Sequence, residues 1–314
     1  MVADPAGPST NAYRYGMSQP PQFDPLRCEK MYRDEQSANG LPAAMPSDIG
    51  GPQQFFKQLD ALGNAYRYPA QFDPLRYEKM YRDEQSANGL AAATPWDIGG
   101  PQQFVKQLVA LGAIKGEVLD PGTGPGHHAI YYASKGYSAT GIDSSPAAIE
   151  RAKENARRAR VSVNFEVGDA IKLEGLENRF DTVVDCAFYH VFSDVPEAKK
   201  AYARALHRAT KPGARLYMFE FAHYSVNGIV APRSVSLDDF IHMFPDAGWQ
   251  LTYLGPTTCQ VNMSMESFDM LIARNPDKAE QIRPSVEGFR LIEPWLTNGR
   301  AYAPFWEMHA TRVD

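Results

Sequence analysis

The sequence predicts an α/β chain: a mostly parallel, seven-stranded sheet with helices on both faces, preceded by a helical cap that occurs as a tandem repeat. Three observations carry that reading. From residue 113 onward, short apolar runs alternate with helix-period segments, the pattern of strands joined by crossover helices. A glycine-rich turn, Asp120-Pro121-Gly122-Thr123-Gly124-Pro125-Gly126, separates the first such run from the first such helix. Residues 22–63 align with 71–112 without a gap and differ at only six of 42 positions.

The repeat comes first in the chain. Both copies carry QFDPLR, EKMYRDEQSANGL, DIGGPQQF and KQL. Two copies are too few for a solenoid, which needs three or more to bury a continuous core, so a tandem duplication is the simpler reading. The copies differ where it matters for packing: Trp96 stands where the first copy has Ser47, and Val109 where it has Asp60. A helix starting near Pro101 and ended by Gly112 brings Phe104, Val105, Leu108, Val109 and Leu111 onto or beside one apolar stripe. Asp60 interrupts that stripe in the first copy, and burying an unpaired carboxylate is costly. The second copy, within residues 64–112, is therefore expected to cap the core. Residues 1–63 are expected to be peripheral, and 113–314 to form the main domain.

The elements then follow in order. Residues 116–120 read as strand one, and a helix runs from about Gly126 to Ser134 with Gly136 as its stop. Ser138–Ile142 is strand two. Ser145 is a natural N-cap with Pro146 at the first helical position, so a helix runs from there to about Arg158. Ile149, Ala152 and Ala156 face inward, and Arg151, Lys153, Glu154, Arg157 and Arg158 form a solvated face. Val161–Val167 is strand three and Phe180–Asp185 strand four. Glu197–Thr210 is a helix ended by Lys211-Pro212-Gly213, and Ala214–Phe221 is strand five. Leu237–Phe244 is a helix, Trp249–Leu254 strand six, and the last strand falls within Phe305–Thr311.

Composition narrows the function. The chain has 314 residues and a net charge of −5, without the basic excess that a broad nucleic-acid surface needs. Three cysteines, Cys28, Cys186 and Cys259, show no CxxC spacing, which suits a reduced cytoplasmic protein better than a disulfide scaffold. The first 16 residues have neither a basic start nor an apolar run, and no stretch approaches 18 apolar residues, so neither a secretory leader nor a membrane span is expected. The seven histidines show no HxxxH or HExxH pattern, so no metal is expected.

The glycine-rich turn carries the strongest functional signal. Gly122, Gly124 and Gly126 permit tight turning and close backbone approach to a ligand, with Thr123 between them. The following helix points its N-terminal N–H groups at that ligand. The turn also sits at the carboxyl end of a strand, where open parallel sheets bind ligands. The glycines alone leave a dinucleotide open. Counted from Gly122, the last position of the G-x-G-x-x-G/A fingerprint falls on His127, which fails; counted from Gly124, it falls on Ala129, which is tolerated. A nicotinamide-dependent oxidoreductase is thus the alternative.

The full pattern, D-x-G-x-G-x-G, resembles motif I of the class I S-adenosylmethionine-dependent methyltransferases, which are Rossmann-like. The resemblance covers about residues 113–255 and continues in order. It implies that the loop holds the methionine half of S-adenosylmethionine with Asp120 near its amino group. It further implies that Asp143 and Ser144, ending strand two, meet the ribose, that Asp169 and Ala170 contact adenine, and that Asp185 closes strand four at the site. Lys211-Pro212-Gly213 precedes strand five as in that class. Thr94-Pro95-Trp96-Asp97-Ile98-Gly99, with Tyr81 upstream, is similar to the first segment of the thiopurine methyltransferase group, in which the cap covers the cofactor. That likeness implies a covering role for Trp96 through packing and cation–π attraction.

Methyl transfer is an in-line displacement at a carbon on cationic sulfur, so a base is needed only where the acceptor must lose a proton. His190, in the loop after strand four, is the candidate base, since an imidazole titrates near neutral pH; Tyr189 is a candidate for orienting the acceptor. His127 and His128 follow the loop and divide between a cofactor contact and helix packing. The acceptor is expected to be a small, partly aromatic or apolar molecule. The segments 222–236 and 257–300, with Met263, Met265, Phe268, Met270, Phe289 and Trp295, suit an apolar lid over it or plain core packing. A non-catalytic cofactor-binding protein is the third reading, and the sequence leaves a homo-oligomer open.

Overall fold

The computed structural model describes residues 77–82, 94–226, 229–230, 234–274, 276, 279–297 and 299–314. The first repeat copy, including Ser47 and Asp60, lies outside the described residues. Of the second copy, a helical turn over 77–82 and everything from Thr94 onward are described.

The sheet has seven strands: β1 (Glu117–Pro121), β2 (Ser138–Asp143), β3 (Asn164–Val167), β4 (Phe180–Cys186), β5 (Thr210–Phe221), β8 (Trp249–Asn262) and β9 (Arg300–Arg312). Their order is β3-β2-β1-β4-β5-β9-β8, and a two-stranded ribbon of β6 (Ser225–Val226) and β7 (Ile229–Val230) stands apart. Every pairing from β3 through to β5 is parallel, and β9 alone runs against its two neighbours. The order reverses between β1 and β4, and ligands of open α/β sheets bind in the crevice at that switch point.

Helices cover both faces because the parallel strands are buried on both sides. On one face lie α1 (Gln103–Ala110), α2 (His127–Ser134) and α3 (Pro146–Ala159). Phe104 of α1 stacks on Phe219 of β5 with ring centroids 3.8 Å apart; burying a ring of that size stabilises by roughly 1.5–3 kcal/mol. In α3, Ser145 caps the first turn by accepting from the Ala148 N–H at 3.0 Å, Pro146 occupies N1, and Arg160 in the left-handed region ends the helix. On the other face α4 (Pro196–Ala209) buries Tyr202, Ala203, Leu206 and Ala209 against Leu216 and Met218. A π-turn (Asp239–Met243) running into α5 (Phe244–Asp246) completes that layer, tied to α4 by a Lys199–Asp239 ion pair at 2.9 Å.

Three expectations change. Leu111 lies off the α1 stripe and is 73% exposed, whereas Phe104, Val105 and Leu108 are buried. Strand six does not stop at Leu254. It continues through Gly255-Pro256 to Asn262 because β9 pairs with it along its whole length; β8 is the edge strand, and an edge position tolerates a proline without an N–H. The segment 257–300 is therefore the ends of two strands joined by α6 (Met265–Arg274) and α7 (Ala279–Ile292). Phe268, Val286 and Phe289 form a small core of their own, with Met263 and Met265 against it, and Trp295 is 85% exposed.

Candidate active site

The turn between β1 and α2 adopts the conformation its glycines permit. Gly122, Gly124 and Gly126 all have positive φ, at 65°, 52° and 78°, a region that costs other residues roughly 1–2 kcal/mol. Space is as tight as conformation. A Cβ on Gly122 would run into the Phe188 ring, one on Gly124 would meet the Tyr81 hydroxyl at 2.6 Å, and one on Gly126 would meet Phe165 at 2.6 Å. Asp120 at the end of β1 is buried and accepts from the Thr123 hydroxyl at 2.6 Å. Burial pushes its carboxyl up to about 7, and neighbouring Asp185 and Asp143 add to the rise against the Thr123 and Ala129 hydrogen bonds.

Asp143 ends β2 beside this turn. One carboxylate oxygen accepts from Gly124 N–H at 2.9 Å and the other from Ser145 N–H at 2.9 Å. Burial raises its pKa despite those bonds, with Glu78 contributing. Ser144 is exposed beside it. Asp169, after β3, is exposed and accepts from Ile171 N–H at 3.0 Å, while Ala170 is buried. These groups lie at or just beyond the carboxyl ends of β1, β2 and β3.

The second repeat copy closes over that end. Tyr81 is buried against Ala147 and Ala148 at the start of α3, and its hydroxyl stands over Gly124. It accepts from the Trp96 indole N–H at 3.3 Å, and Tyr77 lies 6.3 Å from the Trp96 ring. Glu78 accepts from the Ser145 hydroxyl at 2.6 Å and from Ala147 N–H at 3.0 Å, so the cap also caps α3. Asp97 is the anchor. It meets His127 of α2 at 2.8 Å, Arg151 of α3 at 2.9 Å and Gly99 N–H at 2.9 Å. Burial works against its charged form, but these partners outweigh it and hold the carboxyl below its ordinary range. Asn262 and Gln260 of β8 bind the same segment through Pro95, Asp97 and Gln102. Arg151 is thus an ion-pair partner, a correction to its placement on a solvated face: i, i+4 spacing shows which residues share a face, but not that a distant acid approaches it. His127 is the α2 partner of Asp97, and burial holds the His128 imidazole neutral, down to about 3.

The loop after β4 is built differently. Ala187 takes a positive φ of 57°, unusual for a residue with a Cβ, and aims Phe188 at Gly122. The single helical turn Tyr189–Phe192 follows. His190 is buried, with Nδ1 3.0 Å from a Glu220 oxygen on β5 and its ring edge-on to Phe221. Asp185 is fully buried; it accepts from the Tyr202 hydroxyl at 2.7 Å and from Phe188 N–H at 3.2 Å. Burial, then the Glu220 charge, push the Asp185 carboxyl well up; burial raises Glu220 as well, against hydrogen bonds from Asp185 and from the Tyr189, His190 and Phe188 N–H groups.

Two expected roles meet a different geometry here. Tyr189 has no exposed surface; its hydroxyl bonds Met243 Sδ at 3.1 Å and its ring packs on Tyr202 and Phe244, a packing position. Asp185 is engaged with the Tyr202 hydroxyl and lies beside Glu220. Glu220, Glu78, Asp97 and Arg151 escaped the sequence reading. Glu220 carried a signal, as the lone acid inside the apolar run Leu216-Tyr217-Met218-Phe219-Glu220-Phe221. Among the described residues, no group of three or more His, Cys, Asp or Glu is placed to hold a metal ion, and no helix is long and apolar enough to cross a membrane.

Comparison with known proteins agrees with the geometry. Residues 118–213 match a family model described as a methyltransferase domain. The chain is 37% identical over 111 residues to the 2-heptyl-1-hydroxyquinolin-4(1H)-one methyltransferase of Mycobacteroides abscessus, covering 35% of this chain and 48% of that one. It is 36% identical over 113 residues to the demethylmenaquinone methyltransferase of Renibacterium salmoninarum, covering 36% and 44%. The chain thus spans about half the length of the curated relatives it matches. Among solved structures, one described under conversion of a disulfide bond into a thioacetal group during echinomycin biosynthesis superposes with a TM-score of 0.56. Its identity is 28%, over 74% of this chain and 91% of that one. The [4+2]-cyclase SpnF superposes with a TM-score of 0.53 at 18% identity, covering 74% and 94%, and shares the fold.

Proposed function

We propose, from the premise that residues 118–213 carry a class I methyltransferase domain on a Rossmann-like sheet, that this chain transfers the methyl group of S-adenosylmethionine to a heteroatom of a small, partly apolar molecule. One observation carries the reading. The switch-point cleft gathers Asp120, Asp143, Asp185 and Glu220, all with raised pKa values, and no ion pair to Lys or Arg is found for any of them among the described residues. Such a site favours a cationic guest. S-adenosylmethionine brings a sulfonium and an ammonium against one carboxylate. A nicotinamide dinucleotide brings a pyrophosphate, which these acids repel, so the oxidoreductase alternative loses ground.

The residues fit that cofactor. The backbone of Gly122, Thr123, Gly124 and Gly126 leaves room for the methionine half, with Asp120 beneath it. Asp143, by exchanging its Gly124 and Ser145 partners, accepts from the ribose hydroxyls, and Ser144 stands beside it. Asp169 and Ala170 flank adenine, and Trp96 and Tyr81 cover the loop. The cofactor supplies an electrophilic methyl group. The protein contributes alignment, worth up to roughly 7–11 kcal/mol of barrier in well-oriented reactions. His190 takes the acceptor's proton. The free thiols Cys186 and Cys259 suit a reducing, cytoplasmic setting. Residues 64–112 act as the cap, and the acceptor enters from the β4–β5 side.

Titration calorimetry with S-adenosylmethionine, and with NADH as control, tests the cofactor. Saturable binding of the first and not the second is expected, and the reverse ends the reading. Incubation with 2-heptyl-1-hydroxyquinolin-4(1H)-one and S-adenosylmethionine, read by mass spectrometry for a 14 Da gain, tests the acceptor class suggested by one relative.

A further inference from the structure

Behind the His190 imidazole stands a pair of buried acids for which a merely structural histidine has no use. Glu220 on β5 and Asp185 on β4 point the same way, because Asp185 pairs in register with Met218, two residues before Glu220 on the same face. Both are fully buried. Glu220 Oε2 takes the His190 Nδ1 contact, while Glu220 Oε1 finds no donor. Buried polar atoms without partners are rare and costly. One proton shared between the two carboxyls satisfies Oε1: Asp185, held by the Tyr202 hydroxyl and Phe188 N–H, is protonated and donates to Glu220. Two adjacent carboxyls in an apolar site hold one proton in just this way. Glu220 is then a carboxylate, held by backbone N–H groups of Phe188, Tyr189 and His190 and facing the imidazole through Oε2.

We infer that Glu220, backed by protonated Asp185, is a positioning residue that fixes His190 with its proton on Nδ1 and its lone pair on Nε2, and that the acceptor is accordingly a protic heteroatom nucleophile such as a hydroxyl on a heteroaromatic ring. The inference deepens the methyltransferase reading and rests on it for the identity of the electrophile. In the transfer, His190 Nε2 takes the proton of the acceptor O–H as that oxygen bonds the methyl carbon, and the electron pair of the breaking C–S bond passes to sulfur. The positive charge that leaves sulfur reappears on the imidazolium, 3.0 Å from Glu220. A thioether acceptor, which has no proton to lose, needs no such base. Around the two acids, Tyr202 of α4 donates to Asp185 and stacks on Tyr189, while Asp239 is paired with Lys199.

The test uses the full chain labelled with 15N-histidine. Long-range 1H–15N spectra at pH 7 report which ring nitrogen of His190 carries the proton. The signal is assigned by its loss in His190→Gln or, where that variant does not fold, by Overhauser contacts to the Phe221 ring 4.8 Å away. Protonated Nδ1 and bare Nε2 are expected, with the Nε2–H tautomer emerging in Glu220→Gln. A parent protein with the proton on Nε2, or a Glu220→Gln spectrum identical to the parent's, overturns the positioning role. In the activity arm, the N-hydroxyquinolone named above is the probe. Glu220→Gln should lower kcat about 10–100-fold at pH 7 with KM for S-adenosylmethionine within twofold, and the deficit should shrink as pH rises and the acceptor ionises unaided. An equal loss at every pH overturns the assignment. Failure of the parent to bind S-adenosylmethionine in calorimetry strikes the methyltransferase reading, a result separable from the tautomer.

Discussion

The two halves of the cleft solve the same problem, buried carboxylates, by opposite means. On the β1–β2 side, Asp120 and Asp143 are held by local donors: a hydroxyl three residues on, and backbone N–H groups of the turn and of the α3 start. On the β4–β5 side, Asp185 has one local donor, Phe188 N–H, but otherwise Asp185 and Glu220 rely on Tyr202 of α4, on His190 of the turn after β4 and on each other. Local satisfaction builds a rigid cradle whose shape is set by backbone. Tertiary satisfaction builds a reactive cluster in which proton positions matter. The first suits holding an invariant cofactor, and the second suits handling the proton of a variable acceptor.

If the cradle is set by backbone, the largest loss comes from a side chain there. Gly124→Val puts a β-branched residue at a φ of 52°, where such residues are outliers, and drives it at the Tyr81 hydroxyl. Affinity for S-adenosylmethionine should fall at least about 100-fold, equivalent to more than ~2.7 kcal/mol. The His190 tautomer should not change, because Glu220 of β5 sets it. Unchanged affinity in calorimetry would break the division at its strongest point.

The complementary variant is His190→Gln. On the acceptor side it should cost about 100-fold in kcat, within the range measured for general bases, while the dissociation constant of S-adenosylmethionine stays within twofold. Loss of both together would show that the two halves are one unit. Asp97→Asn sharpens the cradle side, since it leaves Arg151 and His127 without their shared anion. Removing one partner of a buried charged hydrogen bond costs about 1–3 kcal/mol. The cap should loosen, cofactor affinity should fall about tenfold and the thermal midpoint should drop, as read by calorimetry and by a melting curve.

The same contrast explains what the sequence disclosed. The cradle was legible because its signals are contiguous: three glycines after an apolar strand, an acid closing the next strand, Ser145-Pro146 opening a helix. The alternation that predicted a mostly parallel sheet was legible for the same reason. The cap was half legible: the segment around Trp96 could be read from its neighbours, but Asp97 gave no local hint that Arg151, 54 residues away, would pair with it. The acceptor side was least legible. Tyr189 and His190 are adjacent in sequence, yet the helical turn sends one into the core and the other toward Glu220. The extent of β8 likewise depended on β9, some 50 residues later, and no reading of Gly255-Pro256 alone recovers it.

The smallest effect is the one that reads both halves at once. Asp120 has a folded pKa near 7, raised from its ordinary value. For an acid raised on folding, the native state binds more protons than the unfolded chain between the two pKa values, so stability falls as pH rises through that window. The cofactor-free protein should therefore lose stability steadily from about pH 4 to 7. Asp97, whose pKa is lowered, acts only at more acidic pH and does not mask the trend. Cofactor binding should run the other way: a cationic guest favours ionised Asp120, so affinity should tighten a few-fold from pH 6 to 8 and level off above. The slope should survive Glu220→Gln, which removes an acceptor-side acid, and should vanish in Asp120→Asn. Calorimetry across that range decides it. A slope lost in Glu220→Gln and kept in Asp120→Asn would place the cofactor's charge over the β4–β5 cluster and invert the assignment of the two halves.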